Sequence, residues 1–215
     1  MFIRHVTVGL FEENSYLVAD EASGDAVLID PGDDGDVVLR MVEESGFTPR
    51  AIWLTHAHID HIAGIVPVKK RFDIPIYLHP ADQPVYDAQS FFAESYGINF
   101  EPPPPPDHQL AEGDILTLGE HRFSVRHTPG HAPGHVIFHS GDIVFSGDLL
   151  FAGSVGRTDL PLASPADMVT SLQTIAALPA QTLVFAGHGP STTIGAELRS
   201  NPFLNGTAYV KRDAY

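Results

Sequence analysis

The chain has 215 residues, of which 43% are hydrophobic and 18% charged, a composition typical of a globular protein with a sizeable core. Its formal net charge is −15 at pH 7, and such an acidic surface repels phosphate backbones, so extended binding to nucleic acid is not expected. The sequence contains no cysteine, which excludes disulfides and thiolate ligands to a metal.

The N-terminal segment lacks the long apolar region and the small-residue cleavage site of a signal peptide. No stretch of the sequence approaches the roughly 18 apolar residues of a membrane helix. We therefore expect a cytoplasmic protein with no membrane partner.

In the first half, short apolar runs predict strands over residues 2–8, 15–20, 26–29, 51–54 and 74–78. A helix is predicted from Asp33 to Gly46, where glycine stops it. The next helix is placed to start near Gly64, because Pro67 then falls in the first turn, where proline is tolerated. The repeated strand–helix alternation predicts parallel pairing.

Residues 80–100 are predicted to be mixed helix and loop, and they contain the aromatic group Phe91, Phe92, Tyr96 and Phe100. Such a group is more often part of the core than a surface that meets substrate, so a core role is predicted. Pro102–Pro106 form a stiff, extended run, which is expected to cross the surface between two halves of one domain.

The second half again predicts strands, over residues 114–118, 121–127, 136–138, 143–145 and 182–185, with helices over 165–178 and 193–200. Ser164 is a plausible cap for the first of these helices. The two halves are alike in order, and each ends a strand with a histidine. We predict an α/β fold, a four-layer αββα sandwich of two mixed β-sheets with helices outside, in one domain over residues 1–215.

The segment Thr55–His61 is the densest group of metal-binding residue types in the chain, with His56, His58, Asp60 and His61 directly after a buried strand. In extended backbone His56 and His58 would point to the same side, because side chains alternate. Imidazole and carboxylate suit zinc, iron or manganese. The segment therefore predicts a metal site at the carboxyl end of the strand.

Three later residues, His131, Asp148 and His188, each follow an apolar strand and lie beside a glycine. Glycine allows backbone to approach a crowded site closely. Together with the first segment they supply seven ligands, about what two metal ions need once solvent fills the open positions.

The pattern Thr-His-x-His-x-Asp-His, followed by His131, Asp148 and His188, resembles the metallo-β-lactamase superfamily over most of the chain, from Asp30 to His188. Residues 128–135, 146–157 and 201–204 are similar to a short, single-domain branch of the hydroxyacylglutathione hydrolases, or glyoxalase II enzymes. The resemblance implies the metallo-β-lactamase fold.

The resemblance also implies the ligand set: one ion on His56, His58 and His131, the other on Asp60, His61 and His188, with Asp148 between them. It implies that Asp30 lies behind the ligands and steadies them by hydrogen bonds. His135 lies outside the ligand pattern and is expected to support or pack against the site, whereas His79 and His127 are expected to be structural or surface residues. Arg157 could bind an anionic substrate or equally pair with an acidic side chain.

The predicted function is that of a dinuclear metal-dependent hydrolase, a thioesterase that acts on S-2-hydroxyacylglutathione or a related small thioester by attack of a metal-bound hydroxide, which Asp60 orients. Two divalent ions per chain are expected, zinc first, with iron or manganese as alternatives. The lack of a thiolate ligand argues against β-lactam cleavage. Because 27 residues follow His188 in a chain of 215, the C-terminal region by which larger glyoxalase II enzymes hold glutathione is expected to be missing.

The alternative is a persulfide dioxygenase with a single iron on His56, His131 and Asp148, which the similar segment Gly156–Asp159 suggests. A nuclease is disfavoured by the net charge, and a non-catalytic metal scaffold by a ligand set that leaves solvent positions open. The expected partner is a small thioester, not nucleic acid, and the sequence does not indicate an oligomeric state.

Overall fold

The computed structural model describes residues 1–208 and 210. The first half of the chain forms strands β1 (Phe2–Val8), β2 (Glu13–Ala19), β3 (Asp25–Ile29), β4 (Thr48–Trp53), β5 (Ile76–Leu78) and β6 (His108–Gln109), with helices α1 (Gly35–Ser45), α2 (Ile59–Ile62), α3 (Ile65–Arg71) and α4 (Gln83–Tyr96). The second half forms strands β7 (Ile115–Leu118), β8 (His121–His127), β9 (Val136–Ser140), β10 (Ile143–Gly147), β11 (Leu150–Phe151), β12 (Ser154–Val155), β13 (Leu183–Ala186) and β14 (Thr192–Thr193), with helices α5 (Pro165–Ala176) and α6 (Ile194–Ser200).

The strands form two six-stranded mixed sheets, each built from a continuous part of the sequence. Sheet one has the order β1-β2-β3-β4-β5-β6, antiparallel from β1 to β3 and parallel from β3 onwards. Sheet two has the order β14-β13-β10-β9-β8-β7, in which β10 and β13 are the parallel pair. A small hairpin of β11 and β12 lies beside sheet two. The predicted parallel pairing of the strands at 26–29, 51–54 and 74–78 is confirmed.

The sheets pack face to face, and aromatic side chains fill the space between them. Trp53 of sheet one contacts Phe123 of sheet two with ring centroids 5.2 Å apart, and Phe138 and Phe145 belong to the same buried cluster. The outer face of sheet one is covered by helices α1, α3 and α4, and that of sheet two by α5 and α6. The predicted four-layer αββα arrangement is confirmed. The prediction of one domain stays a prediction.

Two predicted helix positions are correct, and one region differs. Gly46 ends α1 in a left-handed conformation, and Gly64 caps α3 so that Pro67 falls in its first turn. Residues 80–100, predicted to be mixed, are mostly the single 14-residue helix α4. The strands of only two residues, such as β6 and β14, were not predicted because they are too short to show alternation.

The proline run Pro102–Pro106 lies irregularly along the surface, as predicted, but it leads from α4 into β6, which still belongs to sheet one. The crossing to sheet two comes only afterwards, between β6 and β7. The prediction placed this crossing too early, because a two-residue strand gives no signal that sheet one continues beyond the prolines.

The aromatic group was predicted to be core, and this is wrong for two of its members. Phe91 is 76% exposed, and both Phe91 and Phe92 line a cavity. Phe100 does pack, partly buried, against the core of sheet one. The side chain of Tyr96 lies outside the described residues. Among residues 1–208 and 210, no helix is both long and apolar enough to cross a bilayer.

Gly64 allows helices α2 and α3 to lie against the loop that follows β3. Its amide donates to the carbonyl of Pro31 (3.0 Å), and a Cβ at this position would collide with the carbonyl oxygen of Gly32. Gly64→Ala should therefore destabilise the protein by about 1–3 kcal/mol and also lower its metal content, because α2 carries part of the candidate site. Urea unfolding and elemental analysis measure the two effects.

The control is Gly46→Ala, at a left-handed position (φ 74°) with open space around the missing Cβ. It should lose about 1 kcal/mol from backbone strain and keep its metal. If the two variants behaved alike in both measurements, the close approach at Gly64 would not matter.

Candidate metal centre

All seven predicted ligands lie together where strands of both sheets end. His56, His58, Asp60 and His61 come from the segment after β4, and His131, Asp148 and His188 follow β8, β10 and β13. Their donor atoms form two groups, each with all atoms within 4.8 Å of one another: His56 with His58 and His131, and Asp60 with His61 and His188. Asp30 makes a third such group with His56 and His61. The sequence prediction of which residues converge is therefore matched by their positions.

Asp148 lies between the two groups. Its Oδ2 is 3.4 Å from Nε2 of His131 and 3.4 Å from Nε2 of His188, and its Oδ1 is 3.4 Å from Nε2 of His61. Gly187 makes this packing possible, because a Cβ there would collide with Oδ1 of Asp148. One carboxylate can thus reach both groups, which is the geometry that a bridging ligand needs.

The orientation of several imidazole rings is fixed by the ring nitrogen that faces away from the cluster. Three of them donate Nδ1–H to protein oxygens: His61 to the carboxylate of Asp30 (3.1 Å), His131 to the carbonyl of Arg157 (2.8 Å) and His188 to the carbonyl of Phe11 (2.9 Å). Because these oxygens accept, each ring keeps the lone pair of Nε2 for the centre of the cluster. The same reasoning applies to His56, whose Nδ1 lies 3.0 Å from Oγ1 of Thr55.

Several inner atoms have no hydrogen-bond partner among the described residues. They are Nε2 of His56, Nε2 of His61 and Oδ1 of Asp148, all buried. Nδ1 of His58 faces Nε2 of His131 at 2.8 Å, so two ring nitrogens point at one another. Buried polar atoms without partners are costly, and a cation would satisfy them all. The donor set therefore fits divalent metals of the zinc, iron and manganese kind.

The two groups differ in their protonation. Burial, with His131 as the next cause, lowers the pKa of His58 to about 3, and burial also lowers the pKa values of His56 and His131. This group is therefore neutral and ready to bind a metal. Burial also opposes protonation of His188, but the carboxylates of Asp148 and Asp60 outweigh it and raise its pKa to about 10.

Burial and neighbouring charges also have opposite effects on the pKa values of His61, in the second group, and of Asp148, between the groups. The pKa of His61 lies well above its ordinary value, because Asp148 and Asp60 outweigh the effect of burial. Burial would raise the pKa of Asp148, but His61 and His188 hold it well below its usual range. Without a metal, protons on these histidines compensate the buried carboxylates.

Asp30 lies directly behind the ligands. Its Oδ1 accepts the backbone N–H of Thr55 (2.7 Å), and its Oδ2 accepts both the Thr55 hydroxyl (2.5 Å) and Nδ1 of His61. Its backbone is left-handed (φ 49°), and its N–H donates to the carbonyl of Trp53 at the end of β4 (3.1 Å). These contacts connect Asp30 to His61 and to the segment after β4, and its supporting role stays a prediction.

The other predicted residues divide into those that touch the site and those that do not. His135 is fully buried, accepts the backbone N–H of Asp148 at Nε2 (3.0 Å) and pairs with the hydroxyl of Thr128 through Nδ1 (2.9 Å). It therefore holds the backbone of Asp148 in place. His79 and His127 stack on each other with ring centroids 4.1 Å apart and belong to none of the donor groups.

Arg157 contributes to the site through its backbone carbonyl, which accepts from His131. Its guanidinium pairs with the carboxylate of Asp159 through two bonds of 2.6 and 2.8 Å. Of the two alternatives for this side chain, the structure shows the pairing with an acid. Its predicted role in binding substrate stays a prediction.

Two buried carboxylates were missed by the sequence analysis. Asp82 accepts the backbone N–H of Ala57 (2.7 Å) and of Gly134 (2.6 Å), so it joins a site loop of sheet one to one of sheet two. Burial raises its pKa to about 6, against the effect of these two bonds. Its position just after β5, beside the strand that leads to the metal ligands, was the one available signal.

Glu13 is the second of these carboxylates and is fully buried. Its Oε2 accepts the hydroxyl of Ser15 (2.8 Å), and its Oε1 lies 3.9 Å from Nδ1 of His61. Burial raises its pKa well above the usual range. No sequence pattern indicates this burial, because Glu13 stands beside Glu12 in what resembles an exposed acidic turn.

A family model of the metallo-beta-lactamase superfamily matches residues 8–188, and the chain belongs to this superfamily. Among its relatives is the hydroxyacylglutathione hydrolase GloC of Haemophilus influenzae, which is 35% identical over 95% of this chain and 99% of that protein.

Two solved structures extend the comparison. BLEG-1, described as a B3 metallo-beta-lactamase, is 38% identical and superimposes with a TM-score of 0.88 over 95% of this chain and 100% of its own. TTHA1623, solved in a di-iron-bound form, is 47% identical with a TM-score of 0.87 over 94% of this chain and 100% of its own. The superfamily and the donor groups together define a metal-binding hydrolase.

The first prediction from this geometry concerns metal content. Asp148→Ala should weaken metal binding at both groups, whereas His188→Ala should mainly empty the group of Asp60 and His61. Elemental analysis of the purified proteins measures this, with His79→Asn as a histidine variant that should keep both ions. A wild-type protein that cannot be loaded beyond one ion would contradict two separate groups.

The second prediction concerns pH. A metal that binds Nε2 of His188 must displace its proton, so affinity at that group should fall about tenfold per pH unit for each displaced proton below pH 10. In the other group, burial lowers the pKa of His58 to about 3 and also lowers the pKa values of His56 and His131, so metal affinity there should change much less over the same range. Lowering the pH from 8 to 6 in the presence of a weak chelator should therefore release one ion before the other.

The control for this prediction is His188→Ala, which removes the group whose proton competes. Its remaining ion should show little dependence on pH between 8 and 6. Simultaneous loss of both ions from the wild-type protein would show that the two groups do not differ in this way.

Proposed function

We propose that this protein is a dinuclear metal-dependent hydrolase of glyoxalase II type that cleaves S-2-hydroxyacylglutathione or a related small thioester. The observation that carries the proposal is the position of Asp148, within 3.4 Å of imidazoles from both donor groups. The similarity to GloC supports the thioester as substrate. The metal is proposed to be zinc, and the di-iron form of TTHA1623 supports iron as an alternative.

We assign the ligands as the resemblance implies, with His56, His58 and His131 on one ion and Asp60, His61 and His188 on the other. When bound, two divalent ions supply a water of lowered pKa and a Lewis acid for the substrate carbonyl. Asp148 holds the two groups together, and His135, Asp30 and the carbonyl of Arg157 keep the ligands in their orientation.

Asp60 is proposed to act on the nucleophile as well as on the metal. Its Oδ2 lies 3.3 Å from Nε2 of His188, and its side chain borders the cavity in front of the cluster. The carboxylate can accept a hydrogen bond from a water there and hold that water towards the substrate carbonyl. A thiol leaving group has a pKa near 8.5, so the departing sulfur needs no strong general acid.

The second candidate is a persulfide dioxygenase with a single iron on His56, His131 and Asp148. It is suggested by the segment Gly156–Asp159, which is similar to one in the persulfide dioxygenases. Against it, Asp60 and His61 complete a second donor group, which a single iron does not require as ligands.

The functional test is hydrolysis of S-lactoylglutathione by metal-loaded protein without oxygen. The wild-type protein should turn it over, and Asp60→Asn should lose roughly 100-fold or more in kcat/KM, because the water loses an acceptor and the second group loses a charge. Asp142→Asn, on the exposed turn between β9 and β10, is the matched control and should retain full activity.

Two parallel assays separate the alternatives. Oxygen uptake with glutathione persulfide on iron-loaded protein should be slow, and a chromogenic cephalosporin, included because of BLEG-1, should not be cleaved. Rapid oxygen uptake without thioester turnover by the zinc, iron or manganese forms would reverse the ranking of the two functions.

A further inference from the structure

We propose that the site is built for thioesters that carry an extended apolar substituent, in preference to thioesters of a charged thiol such as glutathione. The proposal rests on the hydrolase function above and names its substrate class. Its basis is a cavity of about 630 Å³ that opens directly from Asp60, Asp148 and His188. This volume is in the range of small-molecule sites.

One wall of the cavity is a face of helix α4. The residues that line it recur at helical spacing and are mostly apolar: Pro84, Val85, Ala88, Gln89, Phe91 and Phe92. An apolar stripe on a helix normally packs against the core. Here the stripe is shared between the core and the cavity, because Val85 is buried in the core of sheet one, whereas Phe91 is 76% exposed and lines the cavity.

Residues outside α4 that line the cavity also present apolar side chains to solvent. Leu162 is 60% exposed and Phe11 is 47% exposed, and both line the same cavity as Phe91. Leu162 has a left-handed backbone (φ 66°), which is unfavourable for a leucine. Strained backbone at a residue that lines a site is typical of a functional position.

The charges around the cavity disfavour glutathione. A glutathione thioester carries two carboxylates and one ammonium group, and it needs cationic partners. Among the described residues that line the cavity, Arg157 is the one lysine or arginine, and its guanidinium is bound by Asp159. The amide of Gln89 is also engaged, since it donates to the carbonyl of Val85 (2.7 Å). The formal net charge of −15 adds long-range repulsion.

The chemistry of the cavity therefore matches an uncharged, apolar group that lies beside the scissile carbonyl. That group could belong to the acyl part or to the thiol part of the thioester. Both would fill the same cavity, because both extend from the carbonyl carbon at the metal cluster. Two substrate series distinguish them.

The experiment measures kcat/KM of the metal-loaded protein for two series of thioesters. In one series the acyl chain grows from acetyl through hexanoyl to decanoyl on a small neutral thiol, and in the other the acyl group stays acetyl while the alkanethiol grows. Burial of a methylene is worth about fourfold, so kcat/KM should rise at least tenfold from acetyl to hexanoyl in one of the series. S-lactoylglutathione should fall below the best of them.

Two variants test whether the named side chains cause the preference. Leu162→Asn removes the apolar group but suits the left-handed backbone, and Phe91→Gln keeps a good helix former at an exposed position of α4. Both should flatten the dependence on chain length. Leu198→Gln, at an exposed leucine of α6 that does not line the cavity, is the control and should leave it unchanged.

Binding of non-cleavable alkyl thioethers, measured by calorimetry, provides a readout that needs no turnover. Affinity should increase with chain length, with a negative heat-capacity change. If no thioester is cleaved but the thioethers bind in this way, the proposed hydrolase function is wrong, and the apolar binding preference of the cavity is supported. If thioesters are cleaved without dependence on chain length, or glutathione thioesters are preferred, the hydrolase function stands and the apolar substrate class is wrong.

Discussion

The structure depends on one electrostatic constraint, the compensation of the buried carboxylate of Asp148. It lies within 3.4 Å of imidazole nitrogens from three segments that follow different strands. A buried carboxylate is unfavourable unless positive charge surrounds it, so the strand ends of both sheets must meet at this point. Protons on His61 and His188 satisfy the requirement in the metal-free protein, and divalent cations would satisfy it better.

The residues behind the cluster explain how it stays open to a substrate on one side. Asp30, His135 and the carbonyl oxygens of Phe11 and Arg157 fix the ligands from the protein side. Five of the ligands line the cavity, which continues from them as a mostly apolar space: His58, Asp60, His131, Asp148 and His188. The polar, charged ligand cluster and the apolar cavity adjoin directly. This arrangement suits a substrate that has a reactive carbonyl group and an apolar substituent.

Much of the fold and the convergence of the seven candidate ligands could be predicted, because their signals are local. The strand before Thr55 is a continuous apolar run, and the ligand-bearing segment follows it directly in sequence. What was missed depends on distant partners. The carboxylate of Asp82 accepts hydrogen bonds from the backbone amides of Ala57 and Gly134, which are distant in sequence. No local sequence pattern predicts such bonds. Phe91 and Phe92 form an apolar face on α4, and the sequence shows such a face without showing whether core or cavity lies opposite.

Each sheet is continuous in sequence, and the chain crosses between them after β6. The segment 56–61 therefore belongs to one half of the molecule, while His131, Asp148 and His188 belong to the other. The metal site thus lies between two halves of the chain that are joined by one connecting segment. Metal ions bound there would link the two halves once they have packed against each other. Cleavage of the exposed connection near residue 111 would divide the chain into two fragments, each with part of the ligand set. Metal uptake would then report their reassociation, as activity does for a split reporter protein.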